Sequence, residues 1–280
     1  MNNLVSIIIN CYNGEEFLSS AIDSVLAQTY TNWELIFYDN CSTDNSKKIF
    51  SDYKNEKFRY YKSKKLIKLY DARNNAISQA NGDFYAFIDV DDLWFPNKLK
   101  LQLDTFKNSE VGFSCGNFML IDERNKKNKV SKKLFDFVPS GFVIDELLSK
   151  YFIHMSSLMI RKIAYESLNK GFNSNYTIVG DIDLAVRINL NWRLSSIQEP
   201  ITYYRYHGNN TGMKESYLIS SELKSLHHDL LQNYPKITQK SNFKLFERKV
   251  FWHIVISDLE NNLKFKTLKN LNKLSLINKF

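Results

Sequence analysis

Cysteine is scarce in this chain: Cys11, Cys41 and Cys115 are the only three in 280 residues. An odd count without metal-type spacing gives neither a disulfide framework nor a zinc site, and points to free thiols in a reducing cytoplasm. Long apolar runs are also missing. The longest, such as Phe251 to Ile256, fall far short of the roughly 20 residues that span a bilayer. The chain opens almost at once into a strand-like run, Leu4 to Ile9, with no basic n-region and no cleavage site. No signal peptide is therefore expected. No Gly-x-Gly-x-x-Gly follows that first strand and no Gly-x-x-x-x-Gly-Lys occurs, which argues against a dinucleotide fold and a P-loop. There is no internal repeat and no low-complexity linker. Nor does the body carry a strong charge of one sign. The net charge is +8, but residues 236–280 hold 10 Lys/Arg against 3 Asp/Glu, which leaves the first 235 residues at +1. A body so close to neutral is not a basic nucleic-acid binder.

What the chain does have is enough apolar residue, 44%, for a full core, and a length that fits one large domain or a domain with an appendage. Strand and helix signals alternate over the first 120 residues. Leu4 to Asn10 is a β-branched run. Phe17, Leu18, Ala21, Ile22, Val25 and Leu26 recur at helical spacing within Glu15 to Gln28. Trp33 to Tyr38 reads as a strand, followed by a helix capped from Ser42-Thr43-Asp44 and running to about Tyr53. Phe58 to Tyr61 is a short strand, Tyr70 to Ala80 a helix, and Phe84 to Ile88 a strand. Pro96 then opens a helix to about Phe106. Strands are expected again within Val111 to Val130, with a polar turn at Asp122 to Asn128, and over Ile153 to Ile160. A helix over Asp181 to Asn189 precedes two more strands, Arg193 to Ile197 and Ile201 to Tyr206. Beyond Ser216 the signals are helical. Repeated β-α-β units predict a mostly parallel sheet covered by helices. In such sheets ligands bind beyond the carboxyl ends of the strands, where Asn10, Asp39 and Asp89 to Asp92 all fall.

Asp89-Val90-Asp91-Asp92 crowds three carboxylates at the end of a buried-type strand. Burying one unpaired charge is costly, and three are worse. A hard divalent cation that carries phosphate oxygens would neutralise them. The ordinary reading of such a cluster is a turn that begins a helix with capping Asp residues.

The neighbours favour the metal. Val5-Ser6-Ile7-Ile8-Ile9-Asn10-Cys11-Tyr12-Asn13, Ser24-Val25-Leu26-Ala27-Gln28-Thr29-Tyr30 and Asp39-Asn40-Cys41-Ser42-Thr43-Asp44 closely resemble segments of family 2 glycosyltransferases. Ala72-Arg73-Asn74-Asn75-Ala76-Ile77 and Phe87-Ile88-Asp89-Val90-Asp91-Asp92 continue the match in the family's order and spacing. The resemblance covers about residues 4 to 210. It implies an α/β GT-A fold, Rossmann-like with a mostly parallel sheet flanked by helices, over residues 1–215. Residues 216–280 would form a helical, basic C-terminal appendage. It also implies a nucleotide-sugar donor, Mn²⁺ or Mg²⁺ as cofactor, and inversion at the anomeric carbon.

By this resemblance Asp89 and Asp91 form an Asp-x-Asp motif, Asp89 mainly on the donor's ribose and Asp91 on the metal, with Asp92 in support. Asp39 matches a base-binding aspartate, which would accept from the N3–H of a uracil or thymine ring. Arg73 matches a nucleotide-contacting arginine, and Cys11 and Tyr12 lie where the family lines the nucleotide pocket. Cys11 stands in place of a usual Thr, Asn10 of a usual Pro, and Asn40-Cys41 of a usual Asp-Gly. Gly180-Asp181-Ile182-Asp183-Leu184 resembles the family's Glu-Asp motif, which makes Asp181 the general base; Gly180 replaces the usual Glu. Asp183 is spaced to pair with Arg187 at i+4. His207 matches a recurrent His that completes the metal shell or touches the diphosphate. His154, His227 and His228 are read as structural.

The expected activity is transfer of a hexosyl or N-acetylhexosaminyl group from a UDP-sugar to a saccharide acceptor, in bacterial surface polysaccharide or lipopolysaccharide synthesis. Two alternatives stand beside it. One is a sugar-phosphate nucleotidyltransferase, which would need a Gly-rich, basic loop where Asn13-Gly14-Glu15-Glu16 lies. The other is an inactive relative that binds nucleotide or saccharide, for which Gly180 is the one pointer. The tail places Leu263, Leu268, Leu271 and Leu274 among Lys264, Lys266, Lys269 and Lys273. Such a basic amphipathic helix either lies on an anionic membrane at its cytoplasmic face or docks on protein.

Overall fold

The computed structural model describes residues 3–124 and 130–260. β1 (Val5–Cys11) leads through α1 (Leu18–Leu26) to β2 (Trp33–Asp39), then α2 (Ser46–Asp52), β3 (Phe58–Lys62), α3 (Leu69–Ile77) and β4 (Phe84–Phe87). The acidic loop follows, then β5 (Leu93–Trp94), α4 (Lys98–Thr105), the long β6 (Val111–Asp122), β7 (Val130–Lys133) and α5 (Ile144–Ser149). A 3-10 turn at Met155–Ser157 introduces β8 (Met159–Arg161), α6 (Lys162–Glu166), α7 (Gly180–Asn189) and β9 (Arg193–Tyr206). The chain continues as α8 (Thr211–Lys214), α9 (Ile219–Asn233) and α10 (Phe243–Glu260). The basic face expected from Leu263 to Leu274 lies outside the described residues.

The strands form one sheet in the order β3-β2-β1-β4-β8-β6-β9-β5, with β7 paired to β6. β3, β2, β1 and β4 are parallel, as the β-α-β repeats require. The other half is mixed: β8 runs antiparallel to β4 and β6, and β5 antiparallel to β9, while β6 and β9 are parallel. Both faces are covered. Ile7, Ile9, Leu35 and Phe37 pack into one apolar cluster, and Ile8, Ile36 and Tyr38 into the other. Successive residues of β1 and β2 thus serve opposite faces, which is why these strands read as unbroken apolar runs.

Two expected elements differ. The run from Ile153 to Ile160 is strand only at its end, because Met155–Ser157 turn inward and bury Ser156 and Ser157. The two strands expected on either side of Gln198-Glu199-Pro200 are one, β9. Register shifts around Asn117 absorb Pro200, which cannot donate to the ladder.

The C-terminal helices belong to the main core. Leu223, Leu226 and Leu230 of α9 and Phe243, Phe246 and Val250 of α10 share a cluster with Leu147 and Leu148 of α5. Asn242 also donates its backbone N–H to Asp145 Oδ1 at 2.8 Å.

Cys41 sits at φ 67°, the left-handed region, where a side chain costs roughly 1–2 kcal/mol. The resemblance places Gly there. Cys41→Gly should relieve this strain, less about 0.5–1 kcal/mol for the freer unfolded chain. The expected result is a urea midpoint raised by up to ~1 kcal/mol in stability at constant m-value. A lower midpoint would show that the Cys41 thiol's 3.2 Å contact with the Ser63 carbonyl outweighs the strain.

Candidate active site

Beyond the carboxyl ends of β1 and β4 lies a cavity of about 450 Å³. Asn10 and Tyr12 reach it from the end of β1, Tyr70 and Arg73 from α3, Asp89 and Asp91 from the loop after β4, and Asp181 from the start of α7. Tyr151, His154, Tyr204 and Asn210 complete much of the wall. Side chains more than 90 residues apart in sequence thus face one space.

The acidic loop is fastened from three sides. Asp89 accepts from Arg73 Nη2 at 2.8 Å, and its backbone N–H donates to Ser156 Oγ at 3.0 Å. Arg73 is itself buried, with its guanidinium 5.4 Å from the Tyr70 ring centre. Asp91 Oδ2 lies 2.9 Å from His207 Nε2 and 3.3 Å from Asn210 Nδ2. Arg205 of β9 donates Nε–H to the Asp91 carbonyl at 2.8 Å. Burial, reinforced by the Asp92 and Asp89 charges and eased by the His207 bond, pushes the Asp91 carboxyl up to about 6.

Asp92 has a different setting. It is 1% exposed and does not line the cavity. Its Oδ2 meets His154 Nε2 at 2.7 Å and the Ser156 hydroxyl, and its Oδ1 accepts the Arg205 backbone N–H at 2.9 Å. Burial disfavours a charged His154, but the Asp92 carboxylate, joined by the charges of Asp89 and Asp91, more than offsets it and the imidazole's pKa is raised. His154, read from the sequence as structural, lines the cavity and is tied to the acidic loop.

Asp39 and Cys11 are neighbours in the β1–β2 register, and both are buried outside the cavity lining. Asp39 Oδ1 accepts the Ser42 backbone N–H at 2.7 Å, and Oδ2 accepts the Tyr60 hydroxyl at 2.7 Å. Burial raises the Cys11 thiol's pKa, so it is no ready nucleophile. Tyr12, by contrast, stands half exposed at the cavity.

Asp181 is the second residue of α7. Burial pushes its carboxyl up to about 6, against the opposing pull of Arg73 and of the Ile182 N–H. The expected Asp183–Arg187 pair is present at 2.6 Å and leaves Asp183 turned into the fold. Gly180 has a steric explanation. A Cβ there would come within 2.4 Å of the buried Tyr70 ring.

Two buried polar atoms on the cavity wall, Asn10 Nδ2 and Tyr151 OH, find no partner among the described residues. Buried polar atoms of this kind are rare in folded proteins. No spacing or motif singles out Tyr151; only its position beside Asp181 in the fold does.

Among the described residues, no three His, Cys, Asp or Glu side chains form a ready-made metal cage. Asp91 with His207 still fits a hard divalent cation. A crowded carboxylate and an imidazole supply part of a shell, which diphosphate oxygens and water would complete.

The family model of Glycosyl transferase family 2 matches residues 6–168. The chain belongs to this family. It is 37% identical over 122 residues to the Escherichia coli UDP-Glc:alpha-D-GlcNAc-diphosphoundecaprenol beta-1,3-glucosyltransferase WfgD, a match that spans 44% of this chain and 48% of that protein. It is 30% identical over 159 residues to the putative teichuronic acid biosynthesis glycosyltransferase TuaG of Bacillus subtilis, spanning 56% of this chain and 62% of the relative. The chain thus matches from just under half to just under two thirds of these relatives' length. Staphylococcus aureus TarS in complex with UDP-GlcNAc superposes with a TM-score of 0.64 at 16% identity, covering 95% of this chain and 88% of that one. The mannosyltransferase PcManGT of Pyrobaculum calidifontis, in complex with GDP-Man and Mn²⁺, superposes with a TM-score of 0.63 at 15% identity, over 97% and 78%. The family 2 glycosyltransferase thus has the GT-A fold, with helices appended at its C-terminal side.

Proposed function

We propose that this glycosyltransferase is inverting and moves a sugar from a UDP-sugar to a hydroxyl of a saccharide acceptor carried on a lipid. The observation that carries this reading is the meeting of Arg73, Asp89 and Asp91 with Asp181 across one cavity. Asp89, steered by Arg73, holds the donor's ribose. Asp91 and His207 hold a divalent cation, which when bound offsets the negative charge on the departing diphosphate. Asp181 takes the proton from the acceptor hydroxyl as its oxygen attacks the anomeric carbon from the face opposite the diphosphate. The anomeric carbon's bond to the diphosphate breaks as the new bond forms, through an oxocarbenium-like transition state, as in other glycosyl chemistry. Tyr151 OH and Asn10 Nδ2 hydrogen-bond the sugars, and Tyr12 stacks on the base.

The E. coli relative's lipid diphosphate acceptor supports the acceptor class. The described residues contain no helix long and apolar enough to cross a membrane. The proposed place of work on a lipid-linked acceptor is the cytoplasmic membrane face, reached by surface contact. The loop after β1 does not favour a nucleotidyltransferase. Glu15 accepts two hydrogen bonds from Asn45, so the loop is acidic and tied to the loop before α2.

Asp39 is fully buried outside the cavity lining, so reading a uracil N3–H would require the groups that cover it, Tyr60 among them, to move aside. A thermal-shift series with UDP, GDP, dTDP and CMP, each with Mn²⁺, tests the donor. The largest shift is expected for UDP. Equal shifts for all four would remove both the UDP preference and the role given to Asp39.

A further inference from the structure

Asp181 needs a fixed direction to serve as a base, yet the residue before it has no side chain. Two distant groups hold the turn instead. The Tyr70 ring fills the space above Gly180, and its hydroxyl accepts the Asp181 backbone N–H at 3.2 Å while donating to the Ile178 carbonyl at 3.2 Å. From α9, in the C-terminal helical region, the buried Glu222 reaches the same turn. Its Oε1 accepts the Thr177 N–H at 2.6 Å, and its Oε2 accepts those of Ile178 at 2.8 Å and Val179 at 3.1 Å. These are charge-assisted bonds, roughly twice the strength of neutral ones, and they satisfy three donors that a loop would otherwise offer to water. Thr177, Ile178 and Asp181 all line the cavity.

We propose that Glu222, together with Tyr70, is a positioning residue for Asp181. The carboxylate on α9 clamps the 177–179 turn, so that α7 starts with Asp181 directed into the cavity. This assignment rests on the reading of Asp181 as the base. It makes the C-terminal helices part of the transfer machinery and explains how the chain works with glycine at position 180. A displacement of about 1 Å at a reacting group can cost on the order of a hundredfold in rate. The alternative is that Glu222 merely staples α9 to the core, in which case it affects stability and nothing else.

The full chain carrying Glu222→Gln separates the two. The amide keeps the shape but replaces one acceptor oxygen with an NH₂ that faces N–H groups. Turnover is read as hydrolysis of UDP-glucose, UDP-N-acetylglucosamine or GDP-mannose with Mn²⁺. We expect kcat to fall about tenfold or more, KM for the donor to stay within about twofold, and the acid limb of the kcat profile to move. Amide exchange at residues 177–179 should quicken by at least about tenfold. Glu222→Asp should recover part of the rate. Wild-type kcat and an unmoved acid limb in Glu222→Gln, even with a lower melting temperature, would overturn the proposal. If that variant does not fold, Tyr70→Phe takes its place. It leaves the ring against Gly180 and removes only the hydroxyl, so kcat should drop about threefold to tenfold, and an unchanged kcat would overturn the proposal. Asp181→Asn is measured alongside. Its retention of turnover would sink the base reading itself, whereas loss there with none in Glu222→Gln would sink only the positioning role.

Discussion

Asp181→Asn should lose about 10²- to 10⁴-fold in kcat, the usual contribution of a positioned base, with little change in KM for the donor. Asparagine is nearly isosteric and can still accept the Ile182 N–H that Asp181 Oδ1 takes at 2.9 Å, so the helix start survives. What is lost is the ability to accept a proton. In the wild-type enzyme the same carboxyl, pushed up to about 6 by burial, must be ionised to act. The rate at low substrate should therefore hold above about pH 6 and fall about tenfold per unit below it. A pH profile flat down to pH 4.5, or turnover in Asp181→Asn within about threefold of wild type, would remove Asp181 from the mechanism.

The same substitution should make the protein more stable at neutral pH. A folded-state carboxyl raised above its ordinary 3.8 binds a proton more tightly in the native than in the unfolded chain. Ionisation then works against folding, with the cost complete above about pH 6 and gone below about pH 4. The two-unit displacement corresponds to at most about 3 kcal/mol. Asp181→Asn should raise the melting temperature by several degrees at pH 7.5, and the gain should shrink towards zero at pH 4. Loss of rate with a gain of stability is the signature of a group held for chemistry rather than for the fold.

The parallel half of the sheet was legible because its chemistry is local. β1 and β2 are buried on both faces, so their apolar runs mark their length to within a residue or two, and the buried residues of α1 fall at the spacing read from the sequence. The acidic loop was legible as a cluster, and the resemblance assigned Asp89 and Asp91 their roles, but the inward setting of Asp92 was not legible. Asp91 faces the cavity and Asp92 the interior, and adjacent aspartates carry no local sign of which way each will point. Only the groups from elsewhere decide it: His154 and Ser156 behind Asp92, His207 and Asn210 beside Asp91. The departure at Gly180 was visible as a missing side chain. Its explanation was not, because Tyr70 lies 110 residues earlier and looks like any aromatic on an amphipathic helix.

Asp91→Ala should abolish the divalent-cation dependence of the enzyme. Alanine removes one of the two side chains that fit the ion, and His207 alone is a weak site for a hard cation that prefers oxygen ligands. Turnover should fall at least about a hundredfold, and added Mn²⁺ should no longer increase the thermal shift given by UDP. Folding gives an independent reading. Asp91 is crowded by Asp92 and Asp89, and its carboxyl is raised to about 6, so at pH 7.5 its charge opposes the folded state just as that of Asp181 does. Removing it should leave the melting temperature of the metal-free protein unchanged or higher, so the lost activity could not be ascribed to unfolding. His207→Ala should be milder, since Asn210 still contacts Asp91 at 3.3 Å and one ligand of the pair remains. EDTA should reproduce the Asp91→Ala phenotype in the wild-type chain, and excess Mn²⁺ should reverse it. Full activity in Asp91→Ala, or turnover indifferent to EDTA, would leave the acidic loop as a binder of ribose alone and require another cation for the diphosphate. Arg73 is already committed to Asp89 at 2.8 Å and could not take both tasks without releasing it.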